Sequence, residues 1–289
     1  MHEPDSPAPD SPEPHSPESN FEDPIVLVSS QNLPAAVTAP IAPLWHTIVL
    51  IAGILAISIG GREQMVSLHR EQNRLVTYAS TVFIQLVMLG WVALGLKLRR
   101  VSFRSLYGNV ARGLRGLGTD LGFAFVFWLA SLMSLGSLGI LWTGVEYAIQ
   151  HRHAPTAKQP IEPTAAEKQT VRTLEGLAPS TAPEFAAWIA LCMIAGLIEE
   201  TVFRGYLQQQ FTALAHGRIA VGVAVSALIF GAAHGYQGVR NMVLLAVFGV
   251  FFSLLAIFRR SLRAGIIAHG WHDMIAGLAL AALRAHHLV

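Results

Sequence analysis

Seven apolar runs dominate this 289-residue chain, and nearly all of them are long enough to cross a lipid bilayer. A helix rises 1.5 Å per residue, so about twenty residues cover about 30 Å of hydrocarbon. The runs lie at roughly Leu44–Gly60, Tyr78–Leu98, Leu121–Tyr147, Phe185–Leu207, Ile219–His234, Val239–Phe258 and Leu262–Leu283. They predict an all-α fold, a polytopic transmembrane helix bundle of about seven to eight spans. The fifth run is short and reads as a tilted or partly buried helix, which neighbouring helices can shelter. Composition agrees, because 53% of the residues are hydrophobic and only 13% are charged, about half the charged share of an ordinary soluble domain.

Residues 1–43 are of another kind. They hold ten of the fifteen prolines, and the first 45 residues carry seven acidic side chains with no lysine or arginine. Such a segment cannot bury enough apolar surface to offset the entropy of ordering, so it reads as a disordered acidic Pro-rich tail. The helical bundle is expected over 44–289. The acidic block argues against nucleic acid as a partner. The first apolar run lacks a basic flank and a small-residue cleavage site, so it reads as a retained span and not a secretory signal. Cys192 is the single cysteine, which rules out an internal disulfide and a Cys-based zinc cluster and suits a small apolar filler.

Orientation is read from the basic loops. Lys97, Arg99, Arg100, Arg104, Arg112 and Arg115 follow the second span, and Arg259, Arg260 and Arg263 separate the sixth from the seventh. Both loops are expected on one side, the cytoplasmic one by the positive-inside rule. The expected setting is an integral membrane protein of the bacterial cytoplasmic membrane. No internal repeat is visible, which disfavours the inverted-repeat transporters.

Within the fourth run the adjacent acids Glu199 and Glu200 are followed by Arg204. An intramembrane carboxylate costs roughly 2.5–3.5 kcal/mol on insertion scales, so it needs a partner, a wet cavity or a function. Glu200 and Arg204 are four apart and share a helix face, where each neutralises the other. Glu199 leaves the helix about 100° away. A poorly solvated acid beside another acid is a candidate proton shuttle. The fifth run ends on His234, and the seventh carries His269, His272 and Asp273, with His269 and Asp273 four apart on one face and His272 at its margin. Gly231, Ala232, Ala233 and Gly270 leave room beside these imidazoles. Three histidines in the same bundle as a spare glutamate predict a shared polar cavity.

The pattern Glu199-Glu200-x-x-x-Arg204, Phe230-x-x-x-His234 and His269-x-x-x-Asp273 resembles the three motifs of the CPBP family of intramembrane peptidases. That family includes the type II CAAX prenyl endopeptidases and bacterial proteins related to abortive-infection and bacteriocin-immunity factors. The resemblance covers the peptidase-like core at about 185–283. It implies hydrolysis of a peptide bond near the membrane surface, with Glu199 activating water, His234 and His269 holding it, and Asp273 at the position that helps stabilise the oxyanion. That last position is often asparagine in the family. An ionised aspartate accepts but cannot donate, so Asp273 must be protonated, orient a histidine or ligate a metal. A zinc ion held by Glu199, His234, His269 and Asp273 stays open as an alternative. No His-Glu-x-x-His and no Gly-x-Ser-x-Gly occurs. The implied partners are the bilayer and a membrane-associated protein or peptide, and a prenylated substrate is implied only by the name of one branch. A proton-coupled carrier and a non-catalytic immunity or scaffold protein are the competing readings.

Overall fold

The computed structural model describes residues 39–67, 73–108, 113–150, 168 and 175–286. Most of the expected tail, and most of the polar stretch between the third and fourth apolar runs, lie outside these residues. The described chain is helical: α1 (Leu44–Ser67), α2 (Arg74–Leu98), α3 (Gly113–Gln150), then α4 (Ala182–Glu200). α4 passes without a break through a π-helical stretch, Thr201–Leu207, into α5 (Gln208–Leu214). There follow α6 (Ile219–Ala233), α7 (Val239–Arg259) and α8 (Arg263–Ala285), with single-turn 3₁₀ segments at Phe103–Tyr107 and Gly235–Gln237.

Six segments are long and apolar enough to cross a membrane: Leu44–Gly61, Arg74–Leu98, Gly116–Ile149, Ala182–Leu214, Val239–Arg259 and Arg263–Ala285. The fifth expected run is α6, whose 15 residues reach only about 22 Å. Its serine Ser226 donates to the Phe203 carbonyl at 2.7 Å, which ties α6 to the middle of the α4–α5 rod. An eighth span is not found among the described residues. Large apolar side chains such as Phe83, Met133, Ile140 and Phe258 face outward, as expected where hydrocarbon replaces water as the solvent.

Lipid gives apolar helices no hydrophobic reason to associate, so close backbone approach does the work. α4 and α8 meet at Gly196, where an added Cβ would lie 2.8 Å from the Gly270 nitrogen and 2.9 Å from the Ile266 carbonyl oxygen. α6 and α7 meet at Gly231, where it would lie 2.5 Å from the Met242 carbonyl oxygen. Alanine in a helix interior is intrinsically better than glycine by about 1 kcal/mol, whereas overpacking costs about 1–3 kcal/mol. Gly196→Ala is therefore expected to lower the melting temperature in detergent, and Gly53→Ala, with nothing within 4 Å of its Cβ, to hold or raise it.

The two ends of the bundle are closed differently. At one end Arg74 donates to the Gly176 carbonyl and to Ser180 Oγ, both at 2.8 Å, while Arg284 reaches the carbonyls of Glu175 and Pro179. Glu184 opens α4 there by accepting from the backbone N–H groups of Ser180 and Thr181, the anchoring expected of an acid in a first helical turn. At the other end Asp120 of α3 pairs with Arg259 at 2.7 Å and Arg263 at 3.1 Å. Gly108 pairs with Ser261, and the Leu262 N–H donates to the Tyr107 carbonyl. The two basic loops thus lie side by side, as their charge suggests.

A buried polar belt joins α1 to the rest. His46 stacks on Trp91 with ring centroids 4.6 Å apart and bonds the Tyr206 hydroxyl at 3.0 Å and the Trp91 carbonyl at 2.8 Å. Gly95 is the position that admits the ring, since a Cβ there would fall 2.4 Å from an imidazole carbon. Just ahead of α1, the Ile41 and Ala42 N–H groups donate to Gln210 Oε1 at 2.8 and 3.1 Å. Both residues are buried, so the packed chain begins before Leu44, inside the stretch whose composition groups it with the tail.

Candidate active site

Glu199 and Glu200 diverge as consecutive helical residues must, and each finds a different partner. Glu200 is fully buried. Its Oε1 accepts from Arg204 Nη1 and from His269 Nδ1, each at 2.9 Å. Gly265 gives its other oxygen room, because a Cβ there would sit 3.2 Å from Oε2. The Arg204 guanidinium lies over the Phe230 and Phe252 rings at 4.5 and 5.1 Å and donates to the Gly249 carbonyl at 3.3 Å. Those ring faces are the favourable environment for a desolvated cation. The start of the π stretch falls at Thr201, and the Glu200–Arg204 pair survives it.

His269 is the junction of the cluster. With Nδ1–H given to Glu200, the ring turns Nε2 toward Glu199 Oε2 and Asp273 Oδ2, each 3.7 Å away. That separation exceeds a direct hydrogen bond and is one that a bridging water can close. Phe252, Phe230 and Phe248 surround the imidazole at centroid distances of 5.2, 6.0 and 6.5 Å. A carboxylate on one ring nitrogen fixes both the orientation and the tautomer of the other.

Glu199 is only partly buried, and its Oε1 accepts from Gln85 Nε2 of α2 at 3.1 Å. Its Oε2 faces His269 and has no hydrogen bond among the described residues. His234 stands at the end of α6, where its Nδ1–H donates to the Phe230 carbonyl at 2.8 Å. In the neutral tautomer that this bond selects, Nε2 is an acceptor. It touches the same Phe230 ring as His269, at 4.8 Å, and none of its hydrogen bonds reaches Glu199, His269 or Asp273. Direct hydrogen bonds thus join Glu200, Arg204 and His269, Glu199 and Asp273 face His269 Nε2 at 3.7 Å, and His234 adjoins them through a shared aromatic ring. His272 points elsewhere, its ring against Phe248 at 4.7 Å.

Two residues of the cluster were not singled out from the sequence. Gln85 is a neutral amide in an otherwise apolar span, and an uncharged amide there lacks the insertion cost that makes a charge conspicuous. Tyr236 sits in the 3₁₀ turn after His234, 6.0 Å from its ring, with Gln237 Nε2 donating to its hydroxyl oxygen at 3.0 Å. Burial, aided by the nearby charges of Glu199 and Asp273, pushes the Tyr236 hydroxyl up to about 12. It therefore stays protonated and able to donate. Both signals are present in the sequence, but each needs the helix crossings to acquire meaning.

The residues do not fit a zinc ion in this arrangement. Among the described residues no three His, Cys, Asp or Glu side chains are grouped so as to hold a metal.

The family model described as Type II CAAX prenyl endopeptidase Rce1-like matches residues 181–275. That segment runs from the start of α4 into α8 and contains all three motifs, in agreement with the resemblance they carry. No curated protein and no solved structure matches the chain at a significant level.

Proposed function

We propose, taking the endopeptidase-like segment 181–275 as the premise, that this integral membrane protein hydrolyses a peptide bond of a membrane-associated substrate by glutamate-activated water. The observation that carries the reading is the opposition of Glu199 Oε2 and His269 Nε2 across 3.7 Å, with His269 anchored from behind by Glu200. A water between them would meet an acceptor on one side and an oriented imidazole on the other. Glu199 takes its proton, and the oxygen attacks the scissile carbonyl carbon. The carbonyl π pair moves to oxygen and meets the imidazolium form of His269, whose Nε2–H donates. Collapse expels the amine, which leaves with the proton held by Glu199.

In this reading Asp273 orients His269 by facing its Nε2, one of the roles open to an aspartate at that position. Glu200 and Arg204 position the imidazole without touching substrate. His234 offers its Nε2 as an acceptor on the α6 side. The phenylalanines around His269 exclude bulk water, which strengthens each of these interactions.

The test is cleavage of a peptide library by detergent-purified protein, with Glu199→Gln beside the wild type. Products from the wild type alone support the reading. Proton-gradient-driven uptake into liposomes without any cleavage supports the carrier, and an unchanged cellular phenotype of Glu199→Gln supports the scaffold. Farnesylated and unmodified forms of one cleaved peptide then decide whether a prenyl group matters. Exhaustive chelation is expected to leave the cleavage rate within about twofold, because no role above needs a Lewis acid. Lost activity that returns with added zinc would replace this mechanism with a metal-assisted one.

A further inference from the structure

The segment that carries the three motifs begins at residue 181, yet one of the two Glu199 oxygens is held from outside it. Gln85 lies eleven residues into α2, and only 5% of its surface is exposed. Its Nε2 meets Glu199 Oε1 at 3.1 Å. The orientation of the amide follows from the chemistry, because a carboxylate oxygen accepts only and the flipped amide would set oxygen against oxygen. Gln85 Oε1, by contrast, has no hydrogen bond among the described residues. Among the described residues the Glu199 contact is therefore the one hydrogen bond of this side chain, in a span where an unused amide is costly.

The consequence for Glu199 is geometric. A carboxyl group on a helix can turn about its last bond, which swings the plane of its two equivalent oxygens. One donor on Oε1 fixes that plane and leaves Oε2 aimed at His269 Nε2. α2 itself is anchored near Gln85 on both sides, by Tyr78 to the Leu177 carbonyl and by Trp91 to the His46 carbonyl. The donor is thus held by a rigid element, as a positioning group must be.

We infer that Gln85 is a positioning residue for Glu199, so that α2 completes the catalytic centre and the 181–275 segment alone does not contain it. The inference rests on the proposed role of Glu199. Gln85 does not contact the reacting atoms. It acts by holding the plane of the carboxylate so that one oxygen faces the water.

Gln85→Met keeps the length of the side chain and removes the donor, and Gln85→Asn keeps an amide but withdraws it by one methylene. Both are expected to lower kcat for peptide cleavage about ten- to a hundredfold, the range for a hydrogen bond to a charged group, with KM within about twofold. In the Glu199→Gln background either change should alter the residual rate by less than about twofold, since a residue acting through Glu199 loses its effect with it. A purely structural role predicts the opposite, equal losses in both backgrounds together with a lower melting temperature, and would overturn the inference. Wild-type kcat in either variant would overturn it too.

The contact can be read without activity. The infrared carboxyl band that disappears in Glu199→Gln is expected at a displaced frequency in Gln85→Met. An unmoved band ends the inference. A displaced band in a protein that cleaves no peptide leaves the contact standing and removes only the peptidase reading.

Discussion

Glu199→Gln is expected to lower kcat for peptide cleavage by about 10²- to 10⁴-fold, the usual contribution of a positioned general acid or base. Glutamine has the same shape and size, so packing on α4 is unchanged, and KM and the melting temperature should move little. The side chain is only partly buried, and its ion-pair contact with His269 spans 3.7 Å, so little folding energy depends on its charge. The comparison with Glu200→Gln sharpens the result. Glu200 bonds Arg204 and His269 directly at 2.9 Å, and its neutral variant should lose stability as well as activity. A Glu199→Gln protein that keeps a tenth or more of the wild-type rate would show that another group activates the water.

The spans were legible in the sequence because a bilayer admits few alternatives: a run of about twenty apolar residues has one common use. Boundaries at Leu98 and Ala233 fall where the apolar pattern stops. The two polar pairs within single helices, Glu200 with Arg204 and His269 with Asp273, were legible for the same reason, since helical geometry alone puts residues four apart on one face. What joins those pairs was not. His269 meets Glu200 because α4 and α8 cross at Gly196 and Gly270, and a glycine in a membrane helix is too common to announce a crossing. Gln85 comes from a helix more than a hundred residues earlier in the chain, as the separation of 114 between its position and that of Glu199 shows. Nothing local marks that pairing.

His234 shows where a motif says less than it suggests. The family likeness places it beside the water, and the structure puts it at the end of α6 with Nδ1–H given to Phe230. Its remaining nitrogen is turned to acceptor duty by a local bond, independently of any partner across the bundle. Phe230 in turn carries Arg204 on its ring and packs near His269. The phenylalanine and histidine four residues apart thus act as one unit, the ring supporting the Glu200 side of the cluster and the imidazole lying toward Tyr236.

Arg204→Met should be among the most destabilising single substitutions in the protein, by about 3–5 kcal/mol, the range for removing one member of a buried ion pair. The arginine side chain is 1% exposed and that of Glu200 is 0%, so the remaining carboxylate would be left inside the bundle with His269, at 2.9 Å, as its hydrogen-bond partner among the described residues. The change also empties the ring faces of Phe230 and Phe252 of their cation. Adding Glu200→Met to Arg204→Met should recover much of the loss, because replacing both members of a buried pair by apolar groups is often close to neutral. Activity should not return with it. The double variant leaves His269 Nδ1 without its carboxylate, and the imidazole is then free to turn Nε2 away from Glu199. Melting temperatures in detergent and cleavage rates for the wild type, the two single variants and the double variant therefore separate the two uses of this pair. Recovery of stability alone assigns Glu200 to holding His269 in place. Recovery of both would mean that the pair is only structural and that His269 needs no anchor, whereas recovery of neither would mean that the apolar replacements do not pack in this space.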